Sequence, residues 1–325
     1  MRAIYIEECG GVEKLQYGEL PAPTPGEGEV LVRVAFAGVN PADWKCREGK
    51  LVKYYEYRFP FVLGFEGAGT IETVGAGVED LKPGQRVVFS SQVAMGAWGA
   101  YAEYALAYAQ GVVVLPNSMP LEVAATLVTA GGTAWGALMD VGQAKAGQSV
   151  FIHGASGGVG SYAISFAHGE GIRVAGSASK HNLDYIAQLG AERCIDYRAG
   201  DMDAALKAFA PDGLDLIVDC VGLGTLPADA AKWVKPGGHI ICIETLIEDI
   251  GAFDMNFAKS RGVSIRSNME AIMRLPDHIR ASTEALASGR ASAPPIEKIP
   301  LQNAALAHEK VQSGHTRGKI VLSIP

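Results

Sequence analysis

Apolar positions in the first hundred residues fall in short β-branched runs, "RAIYIEE", "EVLVRVAFAGV", "GAGTIETVG" and "GQRVVFS", set apart by Pro and Gly. Such runs predict strands with few helices among them. At Leu121 the pattern changes, and "LEVAATLVTAGGTAWGALMDVG" has helical spacing with small residues throughout. Strands and helices then alternate. The strands are "SVFIHG", "RVAGSA", "ERCIDY", "LDLIVDC" and "GHIICIE", and the helices between them are expected over 159–169, 182–189, 202–209 and 225–233. An edge strand "VSIRSN", helices over 276–287 and 304–313 and a closing strand "GKIVLSI" complete the chain. Regular alternation of this kind predicts a parallel, doubly wound α/β sheet.

The chain has 325 residues, 48% of them hydrophobic and 19% charged, enough for a sizeable core and too long for one ordinary domain. The natural division is a β-rich domain, 1–122 plus 268–325, split around a nucleotide domain at 123–267. A net charge of -7 with no run of Lys or Arg argues against a nucleic-acid partner. Acids in "MRAIYIEECGG" stand where a signal peptide has its apolar core, and no apolar stretch reaches the ~18 residues of a membrane span, so a cytoplasmic protein without a membrane partner is expected. The cysteines at 9, 46, 194, 220 and 242 are too scattered for a metal knuckle or a CxxC pair.

The most specific feature is "SVFIHGASGGVGSYAISFA", in which a buried strand runs through a glycine turn directly into an apolar helix. A pyrophosphate has to approach backbone N–H groups at the positive end of that helix, so side chains must be absent from the point of contact. Gly157 and Gly158 clear the way, Gly160 lets the helix approach the sheet, and Ala155 stands where the motif has its first glycine. Ser156 and Val159 complete the expected cofactor turn. About 20 residues on, an NAD-preferring site offers an acid to the ribose. This chain reads Gly176, Ser177, Ala178, Ser179, Lys180, with no acid, and Tyr197 and Arg198 follow at the end of the third strand. Ser177, Ser179, Lys180 and Tyr197 are therefore candidate contacts for a 2′-phosphate, and NADPH is the expected cofactor.

Taken together, "AGVNPADW", "GFEGAGTIETVGAGV", "GQRVVF", "GAYAEY" and "AGQSVFIHGASGGVG" resemble the medium-chain dehydrogenase/reductases, in particular their zinc-free quinone oxidoreductase branch. The likeness covers nearly the whole chain and implies a GroES-like domain split around a Rossmann domain. Zinc-dependent relatives hold a catalytic metal on a cysteine and on the histidine of "GHE". The matching positions here are Asn40 and Phe65, and no cysteine lies between Cys46 and Cys194, so neither a catalytic nor a structural zinc is expected. Without a Lewis acid, reduction of a quinone or an α,β-unsaturated carbonyl is the favoured chemistry.

The resemblance further implies that Asn40 and Asp43 lie in the loop facing the nicotinamide, with Trp44 a wall of the substrate pocket. Thr129 and Thr133 flank "AGGT" at the domain joint, where they either touch the nicotinamide side or only pack, and Val221 and Gly222 after the fourth strand and Cys242, Ile243 and Glu244 after the fifth fall at strand C-termini, where the nicotinamide half is expected. A tyrosine proton donor is sought in "REGKLVKYYEYRFPF", where Tyr54 heads the candidates and Tyr55 and Tyr57 remain open, with solvent as the other source. Pocket shape depends on loops 50–61 and 91–98. An alcohol or aldehyde oxidoreductase of the same fold and a non-catalytic NADPH-binding protein stand as alternatives. A homodimer pairing the edge strand near 263–267 is expected by resemblance, against an edge guarded by Arg261 and Arg266.

Overall fold

The computed structural model describes residues 1–93, 98–222, 224–243 and 253–325. The chain forms two compact units, Met1–Thr129 with Pro295–Pro325, and Ala130–Pro294. The second boundary falls later than the 267/268 division expected from the sequence. The helix Leu275–Ala287 is the reason, because it packs on the helices Gly132–Trp135 and Gly158–Gly169 of the nucleotide unit. The first boundary lies at Thr129, later than the expected 122/123 division and deeper in the small-residue helical stretch.

In the first unit the long strand Glu29–Val39 is the spine of a seven-stranded sheet. It pairs antiparallel with Glu66–Val74 on one side and with the closing strand Lys319–Ser323 on the other, in the register Ile320↔Val39 and Val321↔Gly38. The C-terminal tail thus rejoins the β-rich domain. It gets there through a parallel pair, Ile296–Pro300 with Lys319–Ser323, connected by the helix Ala304–Gln312. Gly318, at φ +68, makes the final turn where a Cβ would stand 2.3 Å from the Pro295 carbonyl oxygen.

The second unit contains a six-stranded sheet in which every neighbouring pair is parallel. Its spatial order is Arg193–Asp196, Arg173–Ala178, Ser149–His153, Leu214–Asp219, Val234–Cys242, Ser264–Ser267. In chain order this is 3-2-1-4-5-6, so the direction of winding reverses beside the first strand, and the carboxyl ends there form the crevice in which such sheets bind ligands. That first strand is buried at all five residues, as a strand covered on both faces must be. The segment 225–233 departs from expectation: only Ala230–Trp233 forms a single 3-10 turn. Pro227 brings no N–H to a helix, and the chain reaches it from Gly222 and Gly224 at φ +72 and +68. Cys46 and Cys242 are buried, Cys9, Cys194 and Cys220 half-buried, and all five are free. Among the described residues no helix is long and apolar enough to cross a membrane.

Candidate active site

The glycine turn of the second unit is built from backbone. The chain leaves Ser149–His153 through Gly154 at φ +74, and the Ala155 amide donates to the Ser177 carbonyl at 2.9 Å, fastening the turn to the neighbouring strand. The helix Gly158–Gly169 then begins at Gly157 with no side-chain cap, so its first amides are left for an outside acceptor. The glycines divide the labour. A Cβ on Gly160 would stand 2.4 Å from the Gly154 carbonyl oxygen and 2.8 Å from Ala155 Cα, so this glycine serves the fold. A Cβ on Gly157 would meet only the Gly154 oxygen, at 3.6 Å, so its missing side chain serves whatever lies in front of the helix. The turn fits a pyrophosphate.

At the ends of the second and third strands one expectation changes. Ser177 is fully buried, and its hydroxyl lies 2.7 Å from His153 Nδ1 and accepts from the Gly154 amide at 3.4 Å. It braces the turn from beneath and has no path to a 2′-phosphate. The next residues face outward instead. Asn182 Nδ2 donates to Ser156 Oγ and Ser179 Oγ, each at 3.3 Å, which gathers Ser156, Ser179 and the Lys180–Asn182 turn at one edge of the glycine turn. Tyr197 is exposed, with the Arg198 guanidinium 5.4 Å from its ring centre.

Below the fourth and fifth strands the sequence missed the residues that shape the backbone. Asp219 Oδ1 accepts from the amides of Val221 and Gly222, both at 3.0 Å, and the Ile243 amide donates to the Asp219 carbonyl, also at 3.0 Å. The acidic residue ending a buried strand was the available signal for this Asx-type turn. His153 Nε2 lies 3.1 Å from Thr225 Oγ1, so one imidazole ties together the turn, the second strand and the loop after the fourth. Burial holds its pKa below the usual value, against the pull of Asp219. Cys242 is buried at its strand end, and burial pushes its thiol up to about 12. Thr133 is half-buried on its helix. Glu244, and residues 94–97 within the expected pocket loop 91–98, lie outside the described residues.

The first unit brings together a different kind of site, made of side chains from distant segments. Asn40, 2% exposed, follows the spine strand and caps the helix Pro41–Arg47. Its Nδ2 donates to Glu66 Oε1 at 2.7 Å, and its Oδ1 accepts from Lys319 Nζ at 2.5 Å. Lys319 also donates to the Val39 carbonyl at 3.1 Å and to Glu66 Oε1 at 3.4 Å, while Glu66 Oε2 accepts from the Thr129 amide at 2.9 Å. Asp43 is fully buried and accepts from the Asn40 amide at 2.8 Å and the Phe65 amide at 3.2 Å. Burial raises its carboxyl to about 7, with Glu66 nearby adding to the shift and the two amides and Lys319 opposing it. Asp43 thus acts on the loop backbone, clipping the start of the helix Pro41–Arg47 to the Phe65 segment.

The three tyrosines separate cleanly. Tyr57 donates to the Cys46 carbonyl at 2.7 Å, its ring stacked on Phe61 at 4.7 Å, and is part of the framework. Tyr54 points to solvent at 48% exposure. Tyr55 is half-buried with its ring centre 5.6 Å from that of Phe65, the position at which zinc-dependent relatives carry histidine. Burial raises its hydroxyl above the ordinary tyrosine value.

Residues 26–117 match the alcohol dehydrogenase GroES-like domain family and residues 189–322 the zinc-binding dehydrogenase family. A quinone oxidoreductase of Lama guanicoe is 33% identical over 330 residues, covering 99% of this chain and 97% of its own. The chain belongs to the quinone oxidoreductase branch of the medium-chain dehydrogenase/reductases. A trans-enoyl reductase of Aspergillus terreus is 31% identical over 92% of this chain and 87% of its own length. The Escherichia coli quinone oxidoreductase, solved as its complex with NADPH, superposes with a TM-score of 0.87 at 27% identity, covering 99% of this chain and 100% of that one. The protein is thus an oxidoreductase of a family that binds a nicotinamide cofactor, and its fold is a GroES-like domain with a Rossmann sheet. Although one matching family is described as zinc-binding, this member of the quinone oxidoreductase branch has an amide and a phenyl ring at Asn40 and Phe65. Among the described residues no three His, Cys, Asp or Glu converge as a metal site.

Proposed function

We propose that this oxidoreductase uses NADPH to reduce a quinone or an α,β-unsaturated carbonyl compound, with no catalytic metal. The carrying observation is the Asn40–Glu66–Lys319 cluster, in which an ammonium and a carboxylate orient an amide at Asn40, the position matched to a zinc-ligating cysteine. When bound, NADPH supplies the hydride for the acceptor's electron-poor carbon. The protein then has to steady the negative charge that develops on the acceptor's oxygen and return a proton to it. Asn40 is suited to the first task. One amide hydrogen is held by Glu66, and the second is the donor assigned to the oxyanion, on a residue only 2% exposed, where a hydrogen bond to developing charge is strengthened by the low local dielectric. Tyr55, beside Phe65, is the tyrosine suited to the second.

The cofactor preference rests on the second-strand terminus, where Ser179 and Lys180 offer donors and no acid would repel a 2′-phosphate. Val221, Gly222, Cys242 and Ile243, at the carboxyl ends of the fourth and fifth strands, are assigned to the nicotinamide half by that position, and Thr129 and Thr133 by flanking "AGGT". That the Escherichia coli relative was solved with NADPH bound supports the same cofactor here. The strand Ser264–Ser267, last in the sheet order among the described residues, supports a homodimer that light scattering would test.

The deciding experiment is a cofactor-oxidation screen against quinones, enones, enals and simple aldehydes. NADPH-dependent turnover of the first three classes is expected. Preferential turnover of saturated aldehydes would move the protein to the alcohol dehydrogenase reading, and tight NADPH binding without turnover would make it a binding protein. Equal kcat/KM with NADH and NADPH would overturn the cofactor preference.

A further inference from the structure

Lys319 opens "KIVLS", an otherwise apolar closing strand, and is itself only 4% exposed. A full positive charge in such surroundings is costly unless oxygen atoms meet it. Three do: the Val39 carbonyl, Asn40 Oδ1 and Glu66 Oε1. The arrangement goes beyond charge neutralisation. Lysine can only donate and an ionised carboxylate can only accept, so an amide between them has one permitted orientation, with oxygen toward Lys319 and nitrogen toward Glu66. Both contacts also polarise it in the same sense, since a cation at the oxygen and an anion at one N–H shift charge along the amide in one direction. The closing strand lies next to Val39 in register, which places Lys319 beside the loop that carries Asn40.

We propose that Lys319 is a positioning residue for the reduction. With Glu66 it locks the Asn40 amide, so that the remaining Nδ2–H is held in one direction and backed by a buried cation. This role rests on the reductase reading above. A pair that served the fold alone would predict something different: replacing both charges with neutral groups of similar size would restore stability and turnover together.

The test compares wild type, K319M and the double variant K319M/E66Q. K319M leaves Glu66 buried without its cation and is expected to fold poorly, so the double variant carries the decision. Its thermal midpoint is expected within a few degrees of wild type and its KM for NADPH within about twofold, while kcat for the best acceptor falls about tenfold or more. In protein labelled with [15N]asparagine, with Asn40 assigned through N40D, the Asn40 side-chain amide signals are expected to move in the double variant. Wild-type kcat in K319M/E66Q, or unmoved Asn40 signals, would overturn the proposal. If wild type turns over no acceptor, the reductase reading fails by itself, and the amide signals still decide whether Lys319 holds Asn40.

Discussion

The two units each build a polar site, and they do so by opposite means. In the nucleotide unit the glycine turn is made of backbone, and what matters is the absence of side chains at Gly157 and Gly160. In the β-rich unit the site consists of the side chains of Asn40, Asp43, Glu66 and Lys319, all buried and bound to one another or to the backbone. A backbone site is written locally, in consecutive residues. A side-chain site is written wherever the topology brings strands together. The first should fail through added atoms, the second through lost charges.

The largest effect is therefore expected from K319M alone. Removing one partner of a buried ion pair leaves the other uncompensated, at about 3–5 kcal/mol, and chemical denaturation should report a loss of that size. A loss below ~1 kcal/mol would show that the pair is solvated in solution and would remove the contrast between the units.

Next come two glycine substitutions that ought to part company. In Gly160→Ala the new Cβ meets backbone at 2.4 and 2.8 Å, so both fold and cofactor binding should suffer, with about 1–3 kcal/mol lost through overpacking. In Gly157→Ala the nearest atom is 3.6 Å away, so stability should hold within ~0.5 kcal/mol while NADPH affinity drops by about tenfold or more. Isothermal titration and thermal melts on both variants check this. If G157A binds NADPH like wild type, the pyrophosphate does not approach the turn there.

How much of each site the sequence disclosed follows the same division. The succession of strands and helices, the glycine turn and the switch to helical spacing at Leu121 were legible because each is a short-range pattern. The Asn40–Lys319 contact spans 279 positions and the Glu66–Lys319 contact 253, and nothing local marks them except a lysine opening an apolar strand. Ser177 shows what the end of a strand decides. It lies inside Arg173–Ala178 with its side chain under His153, whereas Ser179 and Lys180, beyond the strand end, face outward. The sequence offers polar residues there without saying which side each would face. The same limit applies among the tyrosines, where a single position separates exposed Tyr54 from Tyr55 against Phe65.

That correction yields a smaller prediction. Lys180→Ala should reduce the ratio of kcat/KM for NADPH over NADH by about tenfold, the effect of one charge-assisted contact to a phosphate. Ser177→Ala should leave the ratio unchanged and cost about 1 kcal/mol of stability through the lost bond to His153. Steady-state kinetics with both cofactors would separate them, and a ratio that moved in S177A would mean that this hydroxyl reaches the cofactor after all.

The smallest effect is a slope. Asp43 has a native pKa of about 7 against an ordinary 3.8, so the folded protein holds its proton over a range in which the unfolded chain has released it. The stability this contributes is fully present below about pH 4 and is lost as pH rises through about 7. Between about pH 5 and about pH 8 the wild-type melting temperature should therefore fall more steeply than that of Asp43→Asn, whatever their absolute difference. Asn at this position has one oxygen for two backbone donors, Asn40 and Phe65, so D43N should also start lower. Parallel slopes would mean that the two amides hold Asp43 ionised across the range. The buried cluster would then contain two carboxylates facing one ammonium, and Lys319 would carry more of its balance than the present pKa of Asp43 implies.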